Sequence, residues 1–509
     1  MPMTNLRTPD VYDKKALYWG LFGIALSCGL MATLPMGSGF LILLPIALVG
    51  FGGNRTLLLM WTLLAATIFT MGNPYLFNKG MIFLYSNRLL YLLVAMIMTF
   101  QIIGQRKAVT VKPFLFLLAF LVYMTAISAQ GWNPLISYMK LILFTVIYLA
   151  FYSVANASAT RWNVRDEVLR SIFLGFACFI ILGSIALIPF PAISTLSAAR
   201  ALEQFGYIPE GALFMGVTGQ SQTLGPLVAV VTTFLLADWL FNVKRWSWLY
   251  ALLFACTPIL IIKTGSRTAM GTYLAGLLFV GFLFMRARGV GGKWKSRALT
   301  VGFLLGTFAI LGLFATPAAR QSVTNFVFKT RGGTIEKHQQ TWERLTSSRQ
   351  GLVDEMKENI AEKPMVGNGF QVMKSMEHIE IVSIAQLLSQ PVEKGVWIYA
   401  VMEDGGIFGM LLFCFFLITV FYTLLKHRVY VTASAFFVFV VSNFGEYTFF
   451  SMSGMAGIFW ALIFVGTVFD AHTLRRRQRE QLAAGAANYD LRITNYDSGS
   501  SGYGPVNQL

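Results

Sequence analysis

The sequence predicts an all-α polytopic membrane protein of about fourteen transmembrane helices, with one large loop domain on its outer face. Three observations carry that prediction. Of 509 residues, 56% are hydrophobic and only 12% are charged, about half the charged share of a soluble globular domain, and the mean hydropathy is +0.63. Apolar runs long enough to cross a hydrocarbon core of roughly 30 Å recur along most of the chain. The net charge of +17 is spread over short connectors between those runs, which is a membrane topology signal and not a nucleic-acid patch. A soluble enzyme, a disordered scaffold and a secreted disulfide domain are excluded; the bilayer is a partner and nucleic acid is not.

The elements follow in chain order. Residues 1–16 are polar and hold Arg7, Lys14 and Lys15. No small-residue cleavage site follows the first apolar run, so it is expected to be a retained helix behind a cytoplasmic N-terminus. Spans are expected at about 17–36, 38–52, 55–71, 87–104, 113–130, 136–155, 170–190, 223–241, 247–263, 268–286 and 299–316, which makes 17–316 the first eleven helices. Three more, at about 405–425, 429–446 and 454–471, lie within 401–472. The second and third spans are short enough to form one hairpin of half-inserted helices, which gives twelve as the alternative count.

Lysine and arginine set the orientation. With the N-terminus inside, the inner connectors hold Arg55, Arg106, Lys107, Arg161, Arg165, Arg170, Lys244, Arg286, Lys293 and Lys426, among others, whereas the short outer connectors hold only Lys79, Arg88, Lys263 and Arg267. An even count with both termini cytoplasmic in a bacterial inner membrane follows. Residues 473–509 begin with Arg475, Arg476, Arg477 and Arg479 and end in a Gly/Ser-rich run, read as a basic and then disordered cytoplasmic tail. Cys28, Cys178, Cys256 and Cys414 all fall in apolar runs and read as small buried hydrophobes.

Two outer connectors are long, 191–222 and 317–400. In the larger, RLTSSRQGLVDEMKENIAEKP predicts a helix capped by Ser347 or Ser348, carrying Leu352, Val353, Met356 and Ile360 on one face and stopped by Pro364. A small amphipathic domain on the outer membrane face is expected.

The sharpest candidate for chemistry is KTGSRTAMG. Gly265 permits a tight turn after Lys263, Ser266 is a natural N-cap, and Arg267 falls in the first turn of an inward-running helix. Unpaired backbone N–H groups, the positive end of the helix dipole and a guanidinium meet there, a combination suited to a phosphate or diphosphate. An interfacial arginine that snorkels to lipid headgroups has the same sequence signature. A second polar, glycine-marked helix start is GVTGQSQTLGP, where Gln220, Ser221, Gln222 and Thr223 precede Pro226 in an expected first turn. It suits a sugar or phosphate, or it is an ordinary capped turn.

In the large loop, Arg349 lies on the amphipathic helix, Arg331 and Arg344 lie upstream, and Gly367 and Gly369 form a tight turn in PMVGNGF. Glu393 and Lys394 end the loop, and Glu403 and Asp404 stand at the mouth of the next span, where acidic groups are costly unless they face water or a partner. Lys140 and Glu446 are further ionisable groups at span ends, either sites or paired structural groups. No two of His338, His378, His427 and His472 have metal-ligand spacing, and no GxGxxG, P-loop or HExxH is present; no metal and no cofactor are expected.

In this order, the glycine turn before an inward helix, TGSR opening a later helix, the loop with SSRQGLVDEMKENIAEKPMVGNGF, and EKGVWIYAVMEDGGIFG resemble the bacterial O-antigen ligase/polymerase superfamily over residues 200–425. The resemblance implies a metal-independent, GT-C-like glycosyltransferase with its active site on the periplasmic face and the large loop as a periplasmic domain. It implies a donor glycan on undecaprenyl diphosphate and a glycan or lipid-linked acceptor. Arg267 matches the arginine that binds the donor diphosphate, Arg349 the loop arginine before the glycine turn, and Arg200 is the nearest match to a further membrane-proximal arginine. The histidine that ligases of this superfamily carry before the next span is replaced by Gly395. That favours an O-antigen or exopolysaccharide polymerase over a lipid A core ligase, keeps a ligase to lipid A core or to a protein acceptor as the alternative, and leaves Glu393, His378 and Glu403 as candidate bases. A chain-length regulator is a further candidate partner. A lipid-linked oligosaccharide flippase is the alternative of another class, disfavoured because the polar features cluster at the outer face without internal repeats.

Overall fold

A computed structural model of the chain describes residues 113–145, 166–195, 214–243, 248–288, 353–374, 394, 396–426, 428–445 and 449–450, with a few isolated positions near 14–25, at 72, 73, 76 and at 462. The helices longer than one turn are α1 (Pro113–Ser128), α2 (Pro134–Thr145), α3 (Asp166–Ala186), α4 (Ser221–Asp238), α5 (Trp248–Thr264) and α6 (Arg267–Arg288). After these come α7 (353–362), α8 (Trp397–Lys426) and α9 (Tyr430–Ser442). Among the described residues there is no β-strand, only isolated bridges between Gly72 and Thr218 and between Thr195 and Phe214. Ser221–Asn242, Arg267–Ala287 and Trp397–Lys426 are long and apolar enough to cross a membrane, and the other helices apart from α7 are shorter apolar segments. The spans expected at 17–36, 38–52, 55–71, 87–104, 299–316 and 454–471, and the tail, lie outside the described residues or touch them only at isolated positions.

The hub is α4, which packs against α3, α5, α6 and α9 and is buried along 83% of its span, against 33% for α6 and 28% for α8. In lipid, helices gain little from apolar burial alone, so close association depends on small residues that let backbones approach. Gly225 of α4 lies against Ala269, Thr264 and Ser266, and Gly276 of α6 lies against Thr233 of α4 and Val438 of α9. The Thr232 and Thr257 hydroxyls join α4 to α5 at 2.7 Å. Larger gaps are filled by rings: Phe173 meets Phe234 at 4.5 Å, Phe279 stacks on Phe437 at 4.1 Å, and Phe120, Phe413, Phe449 and Phe450 form one buried cluster where α1 packs on α8.

The helix ends sort into two levels. At one end Trp397 N–H, opening α8, donates to the Asn443 carbonyl closing α9 at 3.2 Å, and Trp132, between α1 and α2, donates to Asn368 in the loop after α7 at 3.1 Å. At the other, Arg170 of α3 pairs with Asp238 closing α4, and Phe241 packs on Tyr430 opening α9 at 4.7 Å. Helices α3 to α6 therefore alternate in direction, as do α8 and α9.

Two sequence expectations change. Helix α4 starts at Ser221, so Pro226 sits in the second turn and leaves the Gln222 carbonyl without its helical donor. Arg170, read as a connector charge, is buried: its guanidinium bonds both oxygens of Asp238 at 2.7 and 3.3 Å, and Asn242 and Tyr250 reach the same carboxylate at 3.0 and 3.4 Å. A π turn over Trp239–Val243 continues α4 and carries Asn242. Removing one member of a buried pair strands the other charge. Arg170→Met is therefore expected to cost about 3–5 kcal/mol, and Arg170→Met with Asp238→Leu to recover much of that loss, read as thermal unfolding in detergent.

Candidate functional site

The start of α6 is built as its sequence predicts. Gly265 has φ +61°, the left-handed region that suits glycine. The Ser266 Oγ accepts the Ala269 N–H at 3.2 Å and the Ser266 carbonyl accepts Met270 N–H at 3.2 Å, which caps the helix. Arg267 is the first helical residue and half-buried, Lys263 is exposed, and Thr264 is buried with its hydroxyl on the Ile261 carbonyl.

The second polar start lies beside it. Gln220 has extended backbone, and its carbonyl accepts Thr223 N–H at 3.2 Å and Leu224 N–H at 3.1 Å. Gln220 is exposed, Gln222 and Thr223 half-buried, and Ser221 buried. Because Gly225 touches Ala269, Thr264 and Ser266, the starts of α4 and α6 are less than a side chain apart. Both helices run the same way, so the positive ends of two helix dipoles and Arg267 share one end of the bundle.

An asparagine that sequence reasoning missed organises the segment leading into α4. Asn73 is fully buried; its side chain donates to the carbonyls of Ile193 at 2.8 Å and Gly216 at 2.7 Å, and its N–H donates to Val217 at 2.8 Å. Three segments far apart in sequence are tied at one residue, which only tertiary structure reveals.

The described part of the large loop docks on α8. Helix α7 buries Met356, half-buries Val353 and Ile360, and ends just before Pro364, as its pattern predicts. The turn that follows meets a break in α8, where Gly406 has φ 62° and ψ −164°. The backbone groups freed there pair with the turn: Ile407 N–H donates to Pro364 at 2.9 Å and Phe408 N–H to Met365 at 3.4 Å, while Asn368 N–H donates to Glu403 at 2.8 Å and Gly369 N–H to Asp404 at 3.0 Å. A broken helix near a membrane persists only when such partners exist.

Gly367, with φ +75°, and Gly369, with φ +104°, serve this docking; a Cβ on Gly367 would fall 2.5 Å from backbone atoms of Asp404, Gly405 and Gly406. Gly367→Ala is expected to cost at least about 2 kcal/mol, from the left-handed backbone and the clash. Limited proteolysis of the loop and the unfolding midpoint check it.

Beneath the turn lies a buried ion network. The Lys394 ammonium bonds Asp404 Oδ1 and lies 2.7 Å from Glu403 Oε2, an ion-pair contact outside hydrogen-bond angles. Asn359 of α7 donates to Glu403 Oε1 at 2.6 Å, Asn368 donates to the Asn359 carbonyl at 3.1 Å, and Lys140 of α2 donates to the Gln371 carbonyl at 2.8 Å. Burial alone would lower the Lys394 pKa; the charges of Asp404 and Glu403 and the bond to Asp404 outweigh that and raise it above its ordinary value.

Glu403 and Lys394 are each 2% exposed; Asn359 bonds one Glu403 oxygen and the Lys394 ammonium lies against the other. Gly367 and Gly369 hold a backbone junction. Gln220, Ser221, Gln222, Thr223, Lys263, Ser266 and Arg267 gather at the paired helix starts. Arg200, Arg331, Arg344, Arg349, His378, Glu393, Gly395 and Glu446 lie outside the described residues. Among the described residues no group of His, Cys, Asp and Glu is placed to hold a metal. No protein-family model matches the chain, and no curated protein matches it.

Proposed function

We propose that the protein is a polysaccharide polymerase of the bacterial inner membrane. It transfers an undecaprenyl-diphosphate-linked glycan to a hydroxyl of a second glycan on the periplasmic face, without a metal. The observation that carries this reading is the pairing of the starts of α4 and α6, with Ser266 capping the turn and Arg267 in the first turn. Two sets of helix-start N–H groups and a guanidinium suit a diphosphate. As the acceptor oxygen bonds to the anomeric carbon and the bond to the diphosphate breaks, negative charge grows on the departing phosphate, and fixed positive groups stabilise it. With Glu403 held in the ion network, His378 and Glu393 are the remaining candidates to take the hydroxyl proton.

The test is glycan chain length in the native host, comparing wild type with Arg267→Ala and Arg349→Ala at matched expression, with lipid-linked units assayed in parallel. Accumulation of single units on the periplasmic face with loss of long polymer supports polymerisation. Full-length polymer stranded on the lipid carrier makes the enzyme a ligase, and accumulation on the cytoplasmic face makes it a flippase.

A further inference from the structure

The segment 353–374 is rich in charge, yet at its turn Met365 and Val366 stand open at 46% and 37% exposure, the only large apolar side chains so exposed among its described residues. Their backbone is fixed. Pro364 and Met365 accept the N–H groups of Ile407 and Phe408, and the Tyr123 hydroxyl of α1 lies 3.0 Å from the Gly405 carbonyl and 3.4 Å from that of Met365. Gly406 leaves no room for a side chain against the Met365 carbonyl.

The open pair continues an apolar face that stays exposed among the described residues. On α8 the exposed residues Ile407, Phe408, Leu411, Phe415 and Ile418 form a stripe, and Phe116 of α1 stacks on Phe415 at 6.0 Å. From Gly406 to Lys426 the helix rises about 30 Å, at 1.5 Å per residue, which is the hydrocarbon thickness of a bilayer. Lys426 is exposed with its ammonium 6.0 Å from the Tyr422 ring, an arrangement suited to an interface. With Lys426 at one interface, Gly406 falls at the other. Met365 and Val366, held beside α8 by the bonds of the Pro364 and Met365 carbonyls to Ile407 and Phe408, then stand at the rim of the hydrocarbon.

We infer that Pro364–Val366 is a fixed wedge seated in the outer part of the bilayer. Its Met365 and Val366 side chains contact acyl chains and anchor this part of the loop, which does not swing away from the membrane as a lid. The inference stands on packing and exposure and does not depend on the polymerase reading.

The experiment uses the full chain with Cys28, Cys178, Cys256 and Cys414 replaced by alanine and one new cysteine, Met365→Cys or Val366→Cys, labelled with a small fluorophore. Phe415→Cys serves as the lipid-facing reference and Glu358→Cys as the exposed aqueous one. In vesicles of phosphatidylethanolamine and phosphatidylglycerol, labels at 365 and 366 are expected to lose fluorescence to nitroxide-bearing phospholipid as the Phe415 reference does, and to resist aqueous iodide. Quenching by iodide as at Glu358, or protection from both quenchers, overturns the inference. Both sites are on the surface, and agreement between the two variants guards against misfolding of either.

Discussion

Replacing Lys394 with methionine is expected to destabilise the protein by about 3–5 kcal/mol. The lysine is buried against Asp404 and Glu403, and both carboxylates lose their counter-charge when it goes. One of them, Glu403, also accepts from Asn359, so the loss reaches α7 and the docked turn. The readouts are a lowered unfolding midpoint in detergent and faster cleavage of the loop. Lys394→Met combined with Glu403→Gln and Asp404→Asn is expected to recover part of the loss, since no charge is then stranded. Because the Lys394 pKa is raised above its ordinary value, its contribution at neutral pH is lost on the alkaline side only as pH climbs through the raised value. Wild type should keep the loop docked through pH 10, and undocking at neutral pH would contradict the buried pairing.

Arg267→Ala is expected to lower glycan polymerisation roughly 100- to 1000-fold, the usual loss when one fixed donor to a developing anion is removed. Arg267→Lys should fall between, because an ammonium keeps the charge and loses the planar fork that grips two phosphate oxygens. An equal loss of activity and folding in Arg267→Ala would recast the residue as structural. Unchanged polymer would return it to an interfacial side chain that snorkels to headgroups.

Much of this was legible in local chemistry. The starts of α5 and α6, the Ser266 cap, the Gly265 turn and the stop of α7 before Pro364 each depend on residues within one turn of one another, and sequence spacing reports such contacts. Helices α4 and α8 start earlier than their apolar runs suggest. For α8 the apolar run begins after Glu403 and Asp404, because two acidic side chains at a helix mouth argue against a span until their partners are known. Those partners, Lys394 and Asn359, meet the carboxylates only in the folded protein. The same limit hid Arg170 with Asp238, 68 residues apart, and Asn73 with Gly216, 143 apart. A glycine pair at 405 and 406 was visible, but that the second breaks α8 and receives the loop turn depends on a backbone approach no periodicity records.

The most direct measurement is chain growth by purified protein in vesicles that contain undecaprenyl-diphosphate-linked repeat units and a chelator. Polymerase chemistry predicts lipid-linked glycans of increasing length, release of free undecaprenyl diphosphate for each bond made, and loss of both with Arg267→Ala. Glycans that stay one unit long while the wild-type protein remains folded, or that only change leaflet, would contradict it.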